Sequence, residues 1–251
     1  MYRDLPCTRV DEKGVRQITD PVIEEVPVTV TVNGRQVATA MTSPADLEEF
    51  ATGFLFTEGI IRGRGEIDSI QVEKGGVKVL TKDLLRIVGP RRTILSGCGG
   101  SSSFLDPAKL PKITSSFAIP AQVISRSMQD LLQSDLHRLT GGIHIVGIFG
   151  PGGELTRSLD IGRHNALDRV IGHALIHGIG LGQVYALSSG RISSEMVRKC
   201  LVAGIPVIAS RGATTTLAVG MAEKNGLTVI GFVRAGGMNI YTNPQRVTGR
   251  D

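Results

Sequence analysis

From Ile143 to Phe232 the chain alternates short apolar runs with amphipathic stretches, and little else separates them. Ile143 to Phe149 reads as a strand, Pro151-Gly152-Gly153 as a turn, and Glu154 to Ser158 as the returning strand. After Arg163 the apolar positions Leu167, Val170, Ile171, Ala174 and Leu175 fall at the i, i+3, i+4 spacing of a helix that ends at Gly178. Strand Val184 to Leu187, helix Ser194 to Ala203, strand Ile205 to Ala209, helix Thr214 to Asn225 and strand Leu227 to Phe232 follow. Short strands joined through helices by short loops confine such a chain to a layered α/β sheet, because each element must bury one face against its neighbours. The expected fold class is therefore α/β for residues 119–251, with a smaller N-terminal α+β unit.

The N-terminal half reads differently. Residues 1–20 are polar and are expected to be a poorly ordered tail. Val26 to Val32 alternates as a strand, Asn33-Gly34 is a hairpin turn signal, and Gln36 to Met41 is the return strand. Ser43-Pro44 marks a helix start, with the helix running to about Thr57 and stopping near Gly59. Two strands around Gly75-Gly76 complete an α+β unit over 21–90. Residues 91–118 are a connector rich in Gly, Ser and Pro, and 121–138 read as one helix.

That connector holds Ser96-Gly97-Cys98-Gly99-Gly100-Ser101. A cysteine is usually a small buried hydrophobe. Cys98 has no apolar neighbours to build a core around it, Arg91 and Arg92 lie just upstream to favour a thiolate, and the glycines free the backbone. Cys98 is thus a candidate reactive thiol on a flexible arm. Cys200 lies on an apolar helical stripe with Met196, Val197 and Leu201 and reads as core, while Cys7 belongs to the polar tail. Three cysteines at such spacings make no disulfide framework, so a reducing cytoplasm is expected. No apolar run is long enough to span a bilayer and no signal-peptide core is present, so no membrane role is expected. The net charge of +5 favours anionic partners. Aromatic content of 4% without tryptophan supplies no stacking platform, which argues against nucleic acid.

In open α/β sheets ligands bind beyond the carboxyl ends of the strands. Here those ends carry Asp160-Ile161-Gly162-Arg163-His164-Asn165, Ser188-Ser189-Gly190-Arg191, Ser210-Arg211-Gly212-Ala213-Thr214-Thr215 and Arg234-Ala235-Gly236-Gly237. Each combines an arginine, a bidentate partner for phosphate, with glycine that admits a ligand to the backbone. Three lead into helix N-termini, which favour negative charge. Any one loop is equally a tight turn with a solvated arginine; four together point to a phosphate-bearing ligand. His164 sits in this cluster as an anion contact or a helix cap. His144 lies within a strand and reads as structural, Glu195 suits a helix start, and His173 with His177 occupies one helical face without a third metal ligand.

Gly162-Arg163-His164-Asn165-Ala166-Leu167-Asp168, Ser188-Ser189-Gly190-Arg191 with Glu195-Met196-Val197, Thr215-Thr216-Leu217-Ala218-Val219 and Tyr241-Thr242-Asn243-Pro244-Gln245-Arg246 together resemble the FdhD family of formate dehydrogenase accessory sulfurtransferases. Glu24-Glu25-Val26-Pro27-Val28 and Ser43-Pro44-Ala45-Asp46-Leu47-Glu48 fit as well. The resemblance implies a C-terminal unit similar to the cytidine deaminase fold. It also implies a sulfur carrier that takes persulfide sulfur from a cysteine desulfurase and passes it to the molybdenum (or tungsten) bis-guanine-dinucleotide cofactor, Mo-bis(molybdopterin guanine dinucleotide), before that cofactor enters formate dehydrogenase. By resemblance Cys98 carries the persulfide, and Ile230-Gly231-Phe232-Val233-Arg234-Ala235 matches the stretch that binds the cofactor. Arg163, Arg191, Arg211 and Arg234 become candidate phosphate or guanine contacts, Asp160 and Asp168 polar orienters, and His164, Asn165, Ser189 and Thr214 further cofactor-binding positions. A homodimer is compatible with the resemblance. Many members carry Cys-x-x-Cys in the arm, whereas position 101 here is serine, so a single persulfide carrier is expected. Neither His-x-Glu nor Pro-Cys-x-x-Cys is present, which excludes zinc deaminase chemistry. The alternative is a chaperone that escorts the cofactor, with Cys98 incidental.

Overall fold

The computed structural model describes residues 1–84, 92–94 and 109–249, the last strand-forming three of the middle segment by backbone alone. Cys98 and most of the connector lie outside the described residues. Strands β1 (Tyr2–Asp11) and β2 (Gly14–Ile23) form a two-stranded sheet of their own. The expected loose tail is thus an antiparallel hairpin, in register from Tyr2↔Ile23 to Asp11↔Gly14. Gly14, at φ 100°, makes the reversal that a side chain resists, and Asp11 closes it by accepting from the Lys13 N–H at 3.0 Å and pairing with Arg16. Strand β1 is exposed throughout, while β2 is half-buried at Arg16, Ile18, Asp20, Pro21 and Ile23.

Strands β3 (Val26–Val32), β4 (Arg35–Thr42), β5 (Ile67–Glu73), β6 (Gly76–Thr81) and β7 (Arg92–Ile94) make a five-stranded sheet in the order β5-β6-β3-β4-β7. Helix α1 (Leu47–Thr57) covers it, burying Phe50, Phe54 and Leu55 against Val28, Val30 and Val79. The expected Ser43 cap is not made: the helix starts after Asp46, which sits at φ 44° without a side-chain cap bond. Ser43 is held elsewhere, its N–H on Asp160 at 2.9 Å and its hydroxyl accepting from the Ile161 N–H at 3.3 Å.

The second sheet is six-stranded: β9 (His144–Gly150), β10 (Gly153–Asp160), β11 (Tyr185–Ser188), β12 (Val207–Ser210), β13 (Thr228–Arg234) and β14 (Gly237–Ile240), in the order β10-β9-β11-β12-β13-β14. β11, β12 and β13 run parallel, as their helical connections require, and the flanking pairs are antiparallel. One face packs on α4 (Arg163–Ile176), α5 (Ser194–Ala203) and α6 (Thr216–Asn225) through residues such as Leu167, Val197 and Ala218. The other face packs on α2 (Ala121–Leu131) through Ile124, Met128 and Leu131. The single helix expected over 121–138 breaks in two, because Ser134 caps a new helix, α3 (Asp135–Thr140), by accepting from the His137 N–H at 3.3 Å. Short strands β8 (Ile119–Pro120) and β15 (Val247–Thr248) pair in parallel.

The two units meet where α1 crosses α4 at glycines. A Cβ on Gly53 would stand 1.8 Å from the Asp168 carbonyl oxygen, and one on Gly172 would stand 1.9 Å from that of Glu49. Only glycine at both positions lets the backbones touch.

Candidate functional site

The parallel strands β11, β12 and β13 end side by side at Ser188, Ser210 and Arg234, and backbone hydrogen bonds fix the loops that follow. The Arg211 N–H donates to Ser188 O at 3.0 Å, Ile192 to Ala213 at 2.9 Å, and Phe232 to Gly212 at 2.9 Å. The Ser210 hydroxyl donates to Gly190 O at 2.6 Å while accepting from the Gly212 N–H at 2.8 Å. Gly190 is required by contact: a Cβ there would lie 2.8 Å from the His144 ring and 3.1 Å from Arg163 Cδ. The sequence-predicted loops therefore converge on one rim.

The predicted residues divide by depth on that rim. Arg191, Arg211, Phe232, Arg234 and Ala235 are exposed; His164, Ser189 and Thr214 are half-buried. Ile230 and Val233 belong to the core beneath α2, and Gly231 is buried against Tyr241. Phe232 stands at φ 54° where the β13–β14 register shifts, and its ring is 42% exposed. The Thr214 hydroxyl donates to Ile192 O at 3.3 Å, and the Ser189 hydroxyl accepts from the Ile145 N–H at 3.0 Å.

Asp160 and Asp168, expected as polar orienters, turn into the seam between the two units. Asp160 accepts from the Thr42 hydroxyl at 2.6 Å, the Gly162 N–H at 2.7 Å and the Asn165 amide at 3.0 Å, and pairs with Arg169 at 2.8 Å. Asp168 pairs with Lys199 at 2.8 Å and accepts from the Thr57 hydroxyl at 2.7 Å. Burial pushes the Asp168 carboxyl above the ordinary aspartate range, against the pull of Lys199 and Thr57. The saturated carboxylates fix the start of α4, which carries buried Arg163 and Asn165. His164 shares a hydrogen bond of 2.8 Å between Nε2 and the Ser193 hydroxyl. Burial, reinforced by the cations Arg163, Lys199 and Arg198, lowers its pKa to about 3, so the imidazole is neutral at working pH.

Three adjoining cavities follow α2 across these strand ends. The first, about 420 Å³, lies beside Arg126 and Ala235. The second, about 360 Å³, shares Ser125, Gln129 and Ala235 with it and adds Arg138, Arg211 and Arg234. The third, about 480 Å³, shares Arg211 and Leu132 with the second and reaches Ser189, His137 and His144. Among the described residues no aspartate or glutamate lines any of the three. The α2–α3 wall, with Arg126, Gln129 and Arg138, was not singled out from sequence. The available signal was polar Ser125 and Gln129 beside apolar Met128 and Leu132, which indicates an amphipathic helix edge without saying what faces it. Arg191 and Thr214 line none of these three cavities. Among the described residues no group of three His, Cys, Asp or Glu side chains could hold a metal ion. His173 and His177 stack on each other with ring centroids 4.0 Å apart.

Cys98, the candidate thiol, lies outside the described residues. Its segment is anchored at Ile94, paired with Ala40 in β4, and the end of β4 delivers Thr42 to Asp160.

The fold and rim define a mixed α/β protein with an arginine-lined groove at its parallel strand ends. Residues 23–248 match the model of the FdhD/NarQ family, and the chain belongs to that family. It is 38% identical over 251 residues to the sulfur carrier protein FdhD of Staphylococcus haemolyticus (strain JCSC1435), covering 95% of this chain and 94% of that protein. It is 37% identical over 254 residues to the sulfur carrier protein FdhD of Staphylococcus aureus (strain JH9), covering 96% and 95%. The crystal structure described as a formate dehydrogenase accessory protein from Desulfotalea psychrophila superposes with a TM-score of 0.83 at 27% identity, over 98% of this chain and 99% of that one. Among the described residues no helix is long and apolar enough to cross a membrane.

Proposed function

We propose that this chain is a sulfur carrier serving formate dehydrogenase, with Cys98 as the carrying thiol and a guanine-dinucleotide molybdenum or tungsten cofactor as the acceptor. The observation that carries the reading is the groove: Arg126, Arg138, Arg211 and Arg234 line it, Asp135 pairs with Arg138 but is not itself a lining residue, and the groove lies at the strand ends. Such a groove suits a ligand with several phosphate charges. Its position on β13 agrees with Ile230 to Ala235 as the cofactor-binding stretch, with Val233, Arg234 and Ala235 facing the groove and Ile230 supporting it from the core. The hairpin followed by parallel strands is compatible with a deaminase-like C-terminal unit, without zinc chemistry.

In the first half-reaction the Cys98 thiolate attacks the terminal sulfur of a persulfide on a cysteine desulfurase. The donor S–S bond breaks, the donor cysteine leaves as thiolate, and a new S–S bond forms at Cys98. In the second, an electron pair of the acceptor forms a bond to that terminal sulfur, the S–S bond to Cys98 breaks, and Cys98 leaves as a thiolate that takes up a proton. Asp160, Asn165 and Arg169 keep the start of α4 in place beside the strand ends. The setting is cytoplasmic, and a homodimer is the expected assembly. Labelled sulfur supplied by a desulfurase is expected on the wild-type chain and absent from Cys98→Ala, which also fails to activate formate dehydrogenase while keeping its thermal unfolding midpoint. Full activation by Cys98→Ala overturns the carrier role and leaves a cofactor escort.

A further inference from the structure

Strands β1 and β2 form a sheet of two strands alone, about 34 Å long at the antiparallel rise per residue. The hairpin is tied to the body at its base, where Met1 and Arg3 pair with Glu24 and where Ile23 lies against Gly142. Tyr2, Leu5, Val10, Val15 and Val22 are all exposed along it. A two-stranded hairpin is marginal in water by itself and gains stability from something packed on a face. Proline opposes the addition of a strand at either edge. The Glu24 N–H donates to Met1 O at 2.8 Å, so odd-numbered residues of β1 turn their backbone groups to β2 and even-numbered ones turn theirs outward. Pro6 occupies such an outward position on β1, and Pro21, opposite Asp4, occupies one on β2. Neither has an N–H to offer a third strand, which leaves the faces for docking.

Opposed residues share a face, so one face carries the odd-numbered residues of β1 from Arg3 to Asp11 and the even-numbered residues of β2 from Arg16 to Val22. Its charges bond along the face, Arg16 to Asp11 at 2.6 Å and Arg9 to Asp20 at 3.8 Å. The Arg9 and Asp20 side chains are 51% and 50% exposed and that of Arg16 is 40% exposed, so the body of the chain does not cover this face. Two copies of the face can meet about a two-fold axis in two orientations. With the axis along the strands, Arg9 of one copy lies over Arg16 of the other and the contact repels. With the axis across the strands at the Cys7–Ile18 pair, β1 lies antiparallel over β1 and β2 over β2. Asp20 then meets Arg16 of the second copy, Arg3 meets Asp11, and the aliphatic stem of Arg9 covers Leu5. Cys7 and Ile18 face their own equivalents at the centre. The face is thus complementary to itself, as an isologous contact requires. The opposite face holds one charge, Asp4, and supplies no such match.

We propose that this face of the hairpin docks on the same face of a second copy, about a two-fold axis that crosses the strands at the Cys7–Ile18 pair. The proposal rests on the homodimer reading above and names the surface that makes it. Stacked sheets lie about 10 Å apart, which brings the two Cys7 thiols within reach of one short bis-maleimide. A ribbon two strands wide leaves both thiols at its flank, open to the reagent. Sedimentation equilibrium of the full chain measures association, and cross-linking is read in a Cys98→Ala chain, where the remaining cysteine, Cys200, is buried. A Cys7–Cys7 adduct is expected, and it is lost when Cys7→Ser and Thr8→Cys together move the thiol to the opposite face. Arg16→Glu sets like charges against Asp20 twice in each dimer and is expected to weaken association at least about tenfold. Adding Asp20→Arg is expected to recover most of that loss. Inside one hairpin this exchange puts like charges together at both Arg9 and Asp11, so recovery comes only from the second copy. A dimer that gives no Cys7 adduct, or an equal yield from the thiol at position 8, overturns the hairpin contact while leaving a homodimer standing. Association unmoved by Arg16→Glu, or not recovered by the exchange in a chain with a native circular dichroism spectrum, does the same. A chain that stays monomeric overturns both.

Discussion

Replacing Gly172 by alanine sets two effects of opposite sign against each other. In an unconstrained helix alanine is favoured over glycine by about 0.8–1.0 kcal/mol. At Gly172 the new Cβ would lie 1.9 Å from the carbonyl oxygen of Glu49, 2.7 Å from its carbon and 2.8 Å from the Gly53 nitrogen. All three are backbone atoms of α1, so no side-chain rotation relieves the clash. Reaching the 3.0 Å that real contacts approach requires α1 and α4 to part by about 1 Å. That loosens Phe50 and Phe54 as well as the ion pairs between Glu58 and α5. Overpacking of this kind costs about 1–3 kcal/mol or somewhat more, and the rigid backbone places Gly172 at the upper end. The net expectation is a loss of about 2 kcal/mol, or roughly 4–8 °C in the melting point for a chain of this size. Gly220 supplies the control. It lies in α6 with nothing within 4 Å of its added Cβ, so Gly220→Ala should stabilise by about 0.5–1 kcal/mol. Scanning calorimetry of both variants decides the matter. If Gly172→Ala melts at or above the wild type, as Gly220→Ala should, the close crossing of α1 and α4 is wrong.

The buried Lys199–Asp168 pair predicts a non-additive result in urea unfolding. Lys199→Met alone should cost about 3–5 kcal/mol by leaving a carboxylate uncompensated, and adding Asp168→Asn should restore most of it; a double variant as weak as the sum contradicts this. His164 has an ordinary value of 6.5 and a folded value of about 3, so between them the unfolded chain binds the extra proton. Stability should therefore fall as pH drops from 6.5 toward 3, and His164→Gln should flatten that slope by up to one proton, measured as denaturation free energy against pH. Cys200 is fully buried and its thiol is pushed far up by desolvation, while Cys7 is exposed. In a Cys98→Ala chain, iodoacetamide should thus label Cys7 alone under native conditions and both after unfolding, as read by mass spectrometry.

The layered α/β architecture was legible because local signals agreed with one another. Apolar positions in α4 keep helical spacing, glycines sit at helix ends, and Asn33-Gly34 turns β3 into β4 with Asn33 at φ 49°. Where local signals competed with distant partners, they gave way. Ser43 looks like a helix cap, yet Asp160 and Ile161, far along the chain, claim it. Ser134 interrupts a helix whose apolar pattern continues past it, and the capping bond wins. The first strands were hidden because β1 is exposed throughout and the half-buried positions of β2 include Arg16 and Asp20, so no hydrophobic alternation marks them.

The sequence by itself determined the parallel strands, the arginine- and glycine-bearing loops at their ends, and the motifs that mark the family. Periodicity, turn chemistry and short motifs are properties of neighbouring residues, so they survive without a structure. Only the tertiary structure decided what each loop residue faces. It turned Asp160 and Asp168 inward as buried partners of Arg169 and Lys199, and it brought α2 and α3, with Gln129 and Arg138, over the strand ends as the far wall of the groove. The physical reason is that a buried carboxylate is stable only beside a cation and hydrogen-bond donors, and a helix edge becomes a site only when something faces it. Both conditions join residues far apart in the chain, and no local pattern encodes them.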